Sequence, residues 1–189
     1  MTIIYETPES CAVCPATNIL EDGETDEPWP NINYWHGPWN PPKNGEIIMK
    51  LKCPTIISKI AIRNGHNAHH RGSGTKKFSI YMAPYEAGPW EKVLTGNLED
   101  PRQLDPVPKV YFDMIGKGMY IKFQTEEYYG IGAALQYFDA RSNYFQKEYK
   151  ASNALEPAIC DNYAFSHNWG DFRWLWFFIF FCLTVSIKT

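Results

Sequence analysis

The fold class this sequence predicts is an antiparallel β-sandwich or barrel. Three observations carry that reading. Six or more short apolar–polar alternations follow one another between residues 46 and 139, which is the period of strands with one buried face. Glycine, proline and aspartate punctuate the gaps between them, as turns require. No stretch between residues 16 and 140 carries a 3.6-residue apolar period.

The elements follow in order. Ile47, Met49 and Leu51 share one face of a first strand and Ile48, Lys50 and Lys52 the other. Pro54 closes that segment, because proline has no ladder hydrogen bond to donate. Ile56, Ile60 and Ile62 continue a β-branched run to Arg63. Phe78, Ile80 and Met82 alternate with Ser79 and Tyr81, and residues 90–95 form another short strand. A loop rich in Pro and Asp covers 96–108. Val110, Phe112 and Met114 then lead into a turn at Ile115-Gly116-Lys117-Gly118, and Met119, Ile121 and Phe123 return from it as an antiparallel hairpin. Gly130-Ile131-Gly132 precedes a last strand at 134–139. Two such sheets packed face to face bury the Ile, Phe and Met faces and leave the Lys, Ser and Thr faces wet.

The organisation around this core is less regular. Residues 1–15 read as an N-terminal segment, 16–140 as the sandwich domain, 141–173 as a linker or extension, and 174–187 as an apolar tail flanked by Arg173 and Lys188. A helix of that tail's length spans about 21 Å, short of a hydrocarbon core of about 30 Å. Trp174 and Trp176 beside Arg173 nonetheless suit a membrane interface, so membrane association through the tail stands beside burial in protein. No basic n-region or apolar run opens the chain, so no secretory signal is read there. The compartment expected is membrane-associated or cytoplasmic. The five cysteines are an odd number, and without a signal peptide the expectation is free thiols. Cys11-x-x-Cys14 has the spacing of half a zinc site or a redox pair, but also of a loose N-terminal segment. The net charge of −3 supplies no basic footprint, so no nucleic-acid partner is expected.

Three loops carry candidate binding groups. Asn33-Tyr34-Trp35-His36-Gly37-Pro38-Trp39 presents rigid aromatic surface from Tyr34, Trp35 and Trp39, with His36 among them. Such rings stack on sugar C–H faces or enter a lipid interface, and they equally serve to pin an irregular loop from within. The second loop, 64–74, joins glycine turns to His66, Asn67 and Arg71. Its imidazole and amide can serve hydroxyls, and its guanidinium can fork onto a carboxylate or phosphate. Zinc at His66-x-x-His69-His70 is a weaker reading. Tyr128 and Tyr129, placed on a loop before the last strand, are the third candidate. An early Asp22-Gly23 turn, followed by Glu27 and Trp29, offers oxygens to a hard cation or merely shapes its loop.

With the strands placed, the order of features from 16 to 140 resembles the discoidin family, the coagulation factor 5/8 type C domains. The matching pieces are Ala16-x-Asn18-x-x-x-Asp22-Gly23 leading to Trp29, then Glu46-Ile47-Ile48-Met49-Lys50-Leu51, then Ile56 to Ile62. Gly74-Thr75-Lys76-Lys77-Phe78-Ser79-Ile80-Tyr81 with Gly88-Pro89-Trp90, Gly118-Met119-Tyr120-Ile121-Lys122-Phe123 and Ala134-Leu135-Gln136-Tyr137-Phe138 complete the order. The resemblance implies a galactose-binding-like jelly roll whose ligand contacts come from loops at one end. It also implies that bound calcium, where present, takes oxygens from the early loop and the closing strand, here Asp22, Glu27 and Gln136. Glu27 stands where the family usually has Thr, and Gln136 where it has Glu. Lys52 replaces a usual Gly, and no cysteine directly follows the last strand to tie the termini by the family's frequent disulfide.

The function expected is therefore non-catalytic recognition of a glycan or a phospholipid head group, with no cofactor required beyond such calcium. An intracellular adaptor domain with a protein partner is the alternative. No Ser/His/Asp, Cys/His or paired-carboxylate arrangement announces an enzyme.

Overall fold

In a computed structural model, the described residues are 1–7, 13–22, 33–37, 44–65 and 72–142. The chain divides into units at 1–147 and 148–189, and every described residue lies in the first. The expected extension from 143 onward and the apolar tail at 174–187 lie outside the described residues.

The strands are β1 (Thr2–Glu6), β2 (Trp35–His36), β3 (Glu46–Asn64), β4 (Ser73–Ala83), β5 (Glu91–Asn97), β6 (Lys109–Gly130) and β7 (Ala134–Arg141). All pair antiparallel, in the order β2-β7-β3-β6-β4-β5, with β1 beside β3. Two long strands organise this sheet. The first half of β3 lies between β1 and the second half of β6, with Met49 opposite Ile121. The second half of β3 lies between the first half of β6 and β7, with Ile62 opposite Val110 on one side and Phe138 on the other. Register shifts between Lys50 and Thr55 and between Ile57 and Lys59 mark where β3 changes layer, as bulges bend a strand. One layer is thus β1-β3-β6-β4-β5 and the other β2-β7-β3-β6.

Side chains from both layers meet between them. Phe78 of β4 packs edge-on to Phe112 of β6 at 5.1 Å and stacks with Phe123 at 5.5 Å. Phe123 in turn meets Phe138 of β7 edge-on at 6.3 Å. Ile47, Met49, Ile60, Ile62, Ile80 and Ile121 fill the rest of this core. The expected buried faces are the buried ones except at Ile56, which is 36% exposed while Ile57 is buried, because the register shift between Ile57 and Lys59 breaks the two-residue alternation with Ile60 and Ile62. The sandwich is the fold.

Four expectations need correction. Pro54 does not end a strand: β3 runs through it for 19 residues, because proline falls inside the register shift where no ladder bond is made. The hairpin at 115–118 does not exist. β6 is one strand of 22 residues, and Gly116 and Gly118 continue its inward face rather than turning it. A Cβ on Gly116 would lie 2.6 Å from Met82 Sδ, and one on Gly118 2.5 Å from the Ala83 carbonyl oxygen. These glycines are there for close approach, not for a turn. Ser79 is not wet: it is fully buried and its hydroxyl lies 3.2 Å from that of Thr95. The sheet also starts ahead of residue 16, since β1 pairs with β3 through Thr2 opposite Lys50 and Glu6 opposite Ile47.

The cysteines depart from the free-thiol expectation as well. Cys14 and Cys53 are both disulfide-bonded. The absence of a readable signal peptide was the sole ground for free thiols, and it says nothing about which sulfurs the fold brings together.

Candidate functional site

The flanks of the first two candidate loops and the connection from β6 to β7 are gathered at one end of the sandwich. β2 adds to β7 there, with Trp35 opposite Leu135 and His36 opposite Ala134, and the Gly37 amide donates to the Ala133 carbonyl at 2.9 Å. The loop that follows residue 37 therefore leaves beside the start of the closing strand. β3 ends at Asn64, β4 begins at Ser73 and β6 ends at Gly130, which pairs with Ser73. Gly130 holds φ at +63°, and a Cβ on it would lie 1.8 Å from the Gly72 carbonyl oxygen. Only glycine meets both demands.

Asn64 ties these flanks together. Its side-chain oxygen accepts from the Gly65 amide at 3.0 Å and the Thr75 amide at 2.8 Å. Its Nδ2 donates to the carbonyls of Thr75 at 2.8 Å and Glu99 at 3.0 Å. The Thr75 hydroxyl donates to the Ala134 carbonyl at 2.9 Å. Both residues are buried, so each polar atom has found a partner inside the protein, as burial demands.

His36 braces the first loop's flank to the second's. Its Nδ1 lies 2.7 Å from the Gly37 carbonyl oxygen, which can only accept, so Nδ1 carries the proton. Nε2 in the neutral ring is then the acceptor for the Ser73 hydroxyl, 2.5 Å away. This Ser–His contact was invisible in the sequence, where the two residues are 37 apart. It does not present a nucleophile: His36 and Ser73 are 7% and 6% exposed, and the far ring nitrogen faces a peptide carbonyl instead of a carboxylate.

The aromatic residues expected on the first loop divide. Trp35 is fully buried in the core cluster. Its ring fills the space above Gly45, where a Cβ would lie 2.0 Å from Cη2. Its Nε1 has no partner among the described residues. Tyr34 is 5% exposed against Cys14 and Ala134, and burial pushes its phenol above the usual range. Both therefore pin the loop's base from within, and the exposed stacking surface expected of them is not there. Trp39, His66, Asn67 and Arg71 lie outside the described residues.

Tyr128 and Tyr129 are not on a loop. They end β6, opposite Thr75 and Gly74, because the two-residue alternation of the strand runs on to Gly130. Tyr128 packs against the core, while the Tyr129 hydroxyl donates to the Leu98 carbonyl at 3.1 Å. Within the Pro- and Asp-rich loop, a 3₁₀ turn at Pro101–Gln103 packs over Gly74. Asp100 caps it, accepting from the Arg102 amide at 3.1 Å and from Arg102 Nε at 2.8 Å and Nη2 at 2.5 Å. The guanidinium holds the Asp100 carboxyl below the usual carboxylate range. Sequence reasoning missed this pair, although Asp followed by Pro at the first helical position is a legible cap signal.

The calcium set fits unevenly. Gln136 is 1% exposed; its Nε2 donates to Asn33 Oδ1 at 3.2 Å, and its Oε1 has no partner among the described residues. An orphaned buried oxygen suits a hard cation. Asp22 does not suit one. Arg63 Nη1 lies 3.3 Å from one carboxylate oxygen and Lys109 Nζ against the other, so a dication there would meet two positive charges. Glu27 lies outside the described residues. Among the described residues no group of three or more His, Cys, Asp or Glu is placed to hold a metal.

No family model matches the chain, and no curated protein does. Solved structures do. A Clostridium perfringens CBM32 domain in complex with GalNAc-β-1,3-galactose matches 75% of this chain and 93% of its own at 18% identity, with a TM-score of 0.54. The family 32 module of NanJ from the same organism, in complex with galactose, matches 74% and 97% at 22% identity and TM-score 0.52. A chitosan-binding module of a Paenibacillus chitosanase/glucanase matches 73% and 92% at 11% identity and TM-score 0.55. The fold is the discoidin-type, galactose-binding-like β-sandwich. This sandwich is built of β1 to β7, and the flanks of the first two candidate loops lie at one end of it.

Proposed function

We infer that the chain is a non-catalytic recognition module that binds a carbohydrate through the loops at this end. The observation that carries the reading is the convergence of the flanks of the first two candidate loops with the β6–β7 connection on one braced floor, made by Asn64, the His36–Ser73 contact and Thr75. A floor fixed before binding lowers the ordering cost that a weak, hydroxyl-rich ligand must overcome. The discoidin-type neighbours described in complex with galactose and GalNAc-β-1,3-galactose support hexoses of the galactose type as the first ligands to try. In this reading His66, Asn67 and Arg71 supply the polar contacts and Trp39 the stacking face. The intracellular adaptor alternative agrees poorly with Cys14 and Cys53, since a reducing compartment keeps thiols reduced.

The test is titration calorimetry with galactose and GalNAc-β-1,3-galactose, beside sedimentation with phosphatidylserine vesicles, each with and without chelator. Saccharide binding that Arg71→Ala weakens roughly tenfold is the expected result. Binding to vesicles but to no saccharide in a wider glycan array would overturn the reading.

A further inference from the structure

The 3₁₀ turn at Pro101–Gln103 adjoins the proposed binding end but belongs to the Pro- and Asp-rich loop, outside the candidate binding loops. It is fixed there from below. Pro101 is buried and lies over Gly74, where a Cβ would come within 2.6 Å of its Cγ, and the preceding Glu99 carbonyl is held by Asn64. The turn therefore shares its foundation with the base of the second loop.

Arg102 is the group this foundation presents. Its Nε and Nη2 fork onto Asp100, whose side chain is only 12% exposed, while the guanidinium side chain is 40% exposed. Of the five N–H donors of an arginine, the fork engages those that face Asp100. Nη1 has no hydrogen-bond partner among the described residues. Tyr129 flanks the group, with the guanidinium carbon 5.9 Å from its ring centroid, and its own hydroxyl is anchored to Leu98. The rotamer entropy that an arginine usually loses on binding is already lost here. The pair is also neutral as a unit, because Asp100 stands as its counter-charge.

We propose that Arg102, held by Asp100 and flanked by Tyr129, is a second sugar subsite, which donates to hydroxyls of the residue next to the one held by the loops. The ligand class is accordingly a neutral oligosaccharide of at least two sugars. A sialic acid or uronic acid at this position meets an arginine whose charge Asp100 already answers, so it gains little from its carboxylate. The proposal rests on the glycan reading above and sharpens it.

The experiment compares galactose, GalNAc-β-1,3-galactose and a sialylated galactoside on wild type, Arg102→Gln and Asp100→Asn, with thermal unfolding of each. The readout for Arg102→Gln is the ratio of disaccharide to galactose affinity, expected to fall roughly tenfold while galactose binding is unchanged. Asp100→Asn, which frees the guanidinium's charge, is expected to raise affinity for the sialylated ligand roughly threefold. Should Arg102→Gln unfold, Arg102→Lys keeps the charge, loses the fork and must show the same fall in ratio. An unchanged ratio with galactose still bound overturns the subsite and leaves the glycan reading standing. Absence of all saccharide binding in wild type overturns that reading itself, and the subsite with it.

Discussion

At the residue scale, Trp35 shows how an aromatic in a recognition-like loop can work wholly inward. Its ring lies under Gly37 and over Gly45, the described residues on either side of the loop, and no part of it is exposed. Removing it opens a cavity between the loop base and the core. Trp35→Ala should therefore destabilise by about 3–5 kcal/mol, read as a fall in the urea midpoint with an unchanged slope. A loss below about 1 kcal/mol would mean that the ring is not packed there, since exposed side chains change stability by less than that. Trp39 in the same sequence motif carries the opposite expectation, a loss of ligand affinity with little change in stability. His36 belongs with Trp35: its proton-bearing Nδ1 and its acceptor Nε2 both point at protein groups, so it positions the loops without needing to touch a ligand.

At the element scale, β6 is the test case. Its inward face reads Phe112, Met114, Gly116, Gly118, and the two glycines let the strand pass close to Met82 and the backbone of Ala83. A Cβ at Gly118 meets backbone atoms that cannot swing away, so Gly118→Ala should cost about 1–3 kcal/mol. Exposed Lys117→Ala should stay within about 0.5 kcal/mol. Equal, negligible effects in chemical denaturation would return these residues to a turn. This element also marks what the sequence could and could not say. The alternation of Ile47, Met49, Phe78, Ile80, Ile121 and Phe123 was legible because burial on one face writes itself into a two-residue period. The passage of β6 through Gly116 and Gly118, and of β3 through Pro54, was not. Gly and Pro are turn signals locally, and only contacts with Ala83, Met82 and a shifted register give them another meaning. The candidate binding loops were legible as compositions. The partnership of His36 with Ser73 and the seating of Arg102 beside Tyr129 depend on strand pairings distant in sequence, which no local pattern records.

At the scale of the whole molecule, the disulfide bonding of Cys14 and Cys53 bears on where the protein works. Alkylation of the denatured, unreduced protein should leave both cysteines unlabelled in peptide mass spectrometry. Reduction should destabilise by about 2–4 kcal/mol per bond closing a sizeable loop. Full labelling before reduction would restore the reading of free thiols and, with it, the case for an adaptor in a reducing compartment. Salt bridges contribute little at this scale. Lys76–Glu127 and Lys59–Asp113 are exposed pairs, and such pairs change stability by no more than about 1 kcal/mol.

Because β3 and β6 each belong to both layers, neither layer can unravel while the other stays whole. The amides slowest to exchange with deuterium should be spread through both layers along these two strands, all reporting one global opening. The loops at the far end hang from this single unit by their flanks. Exchanging their residues over evolutionary time should therefore change what the loops present without loosening the frame that holds them.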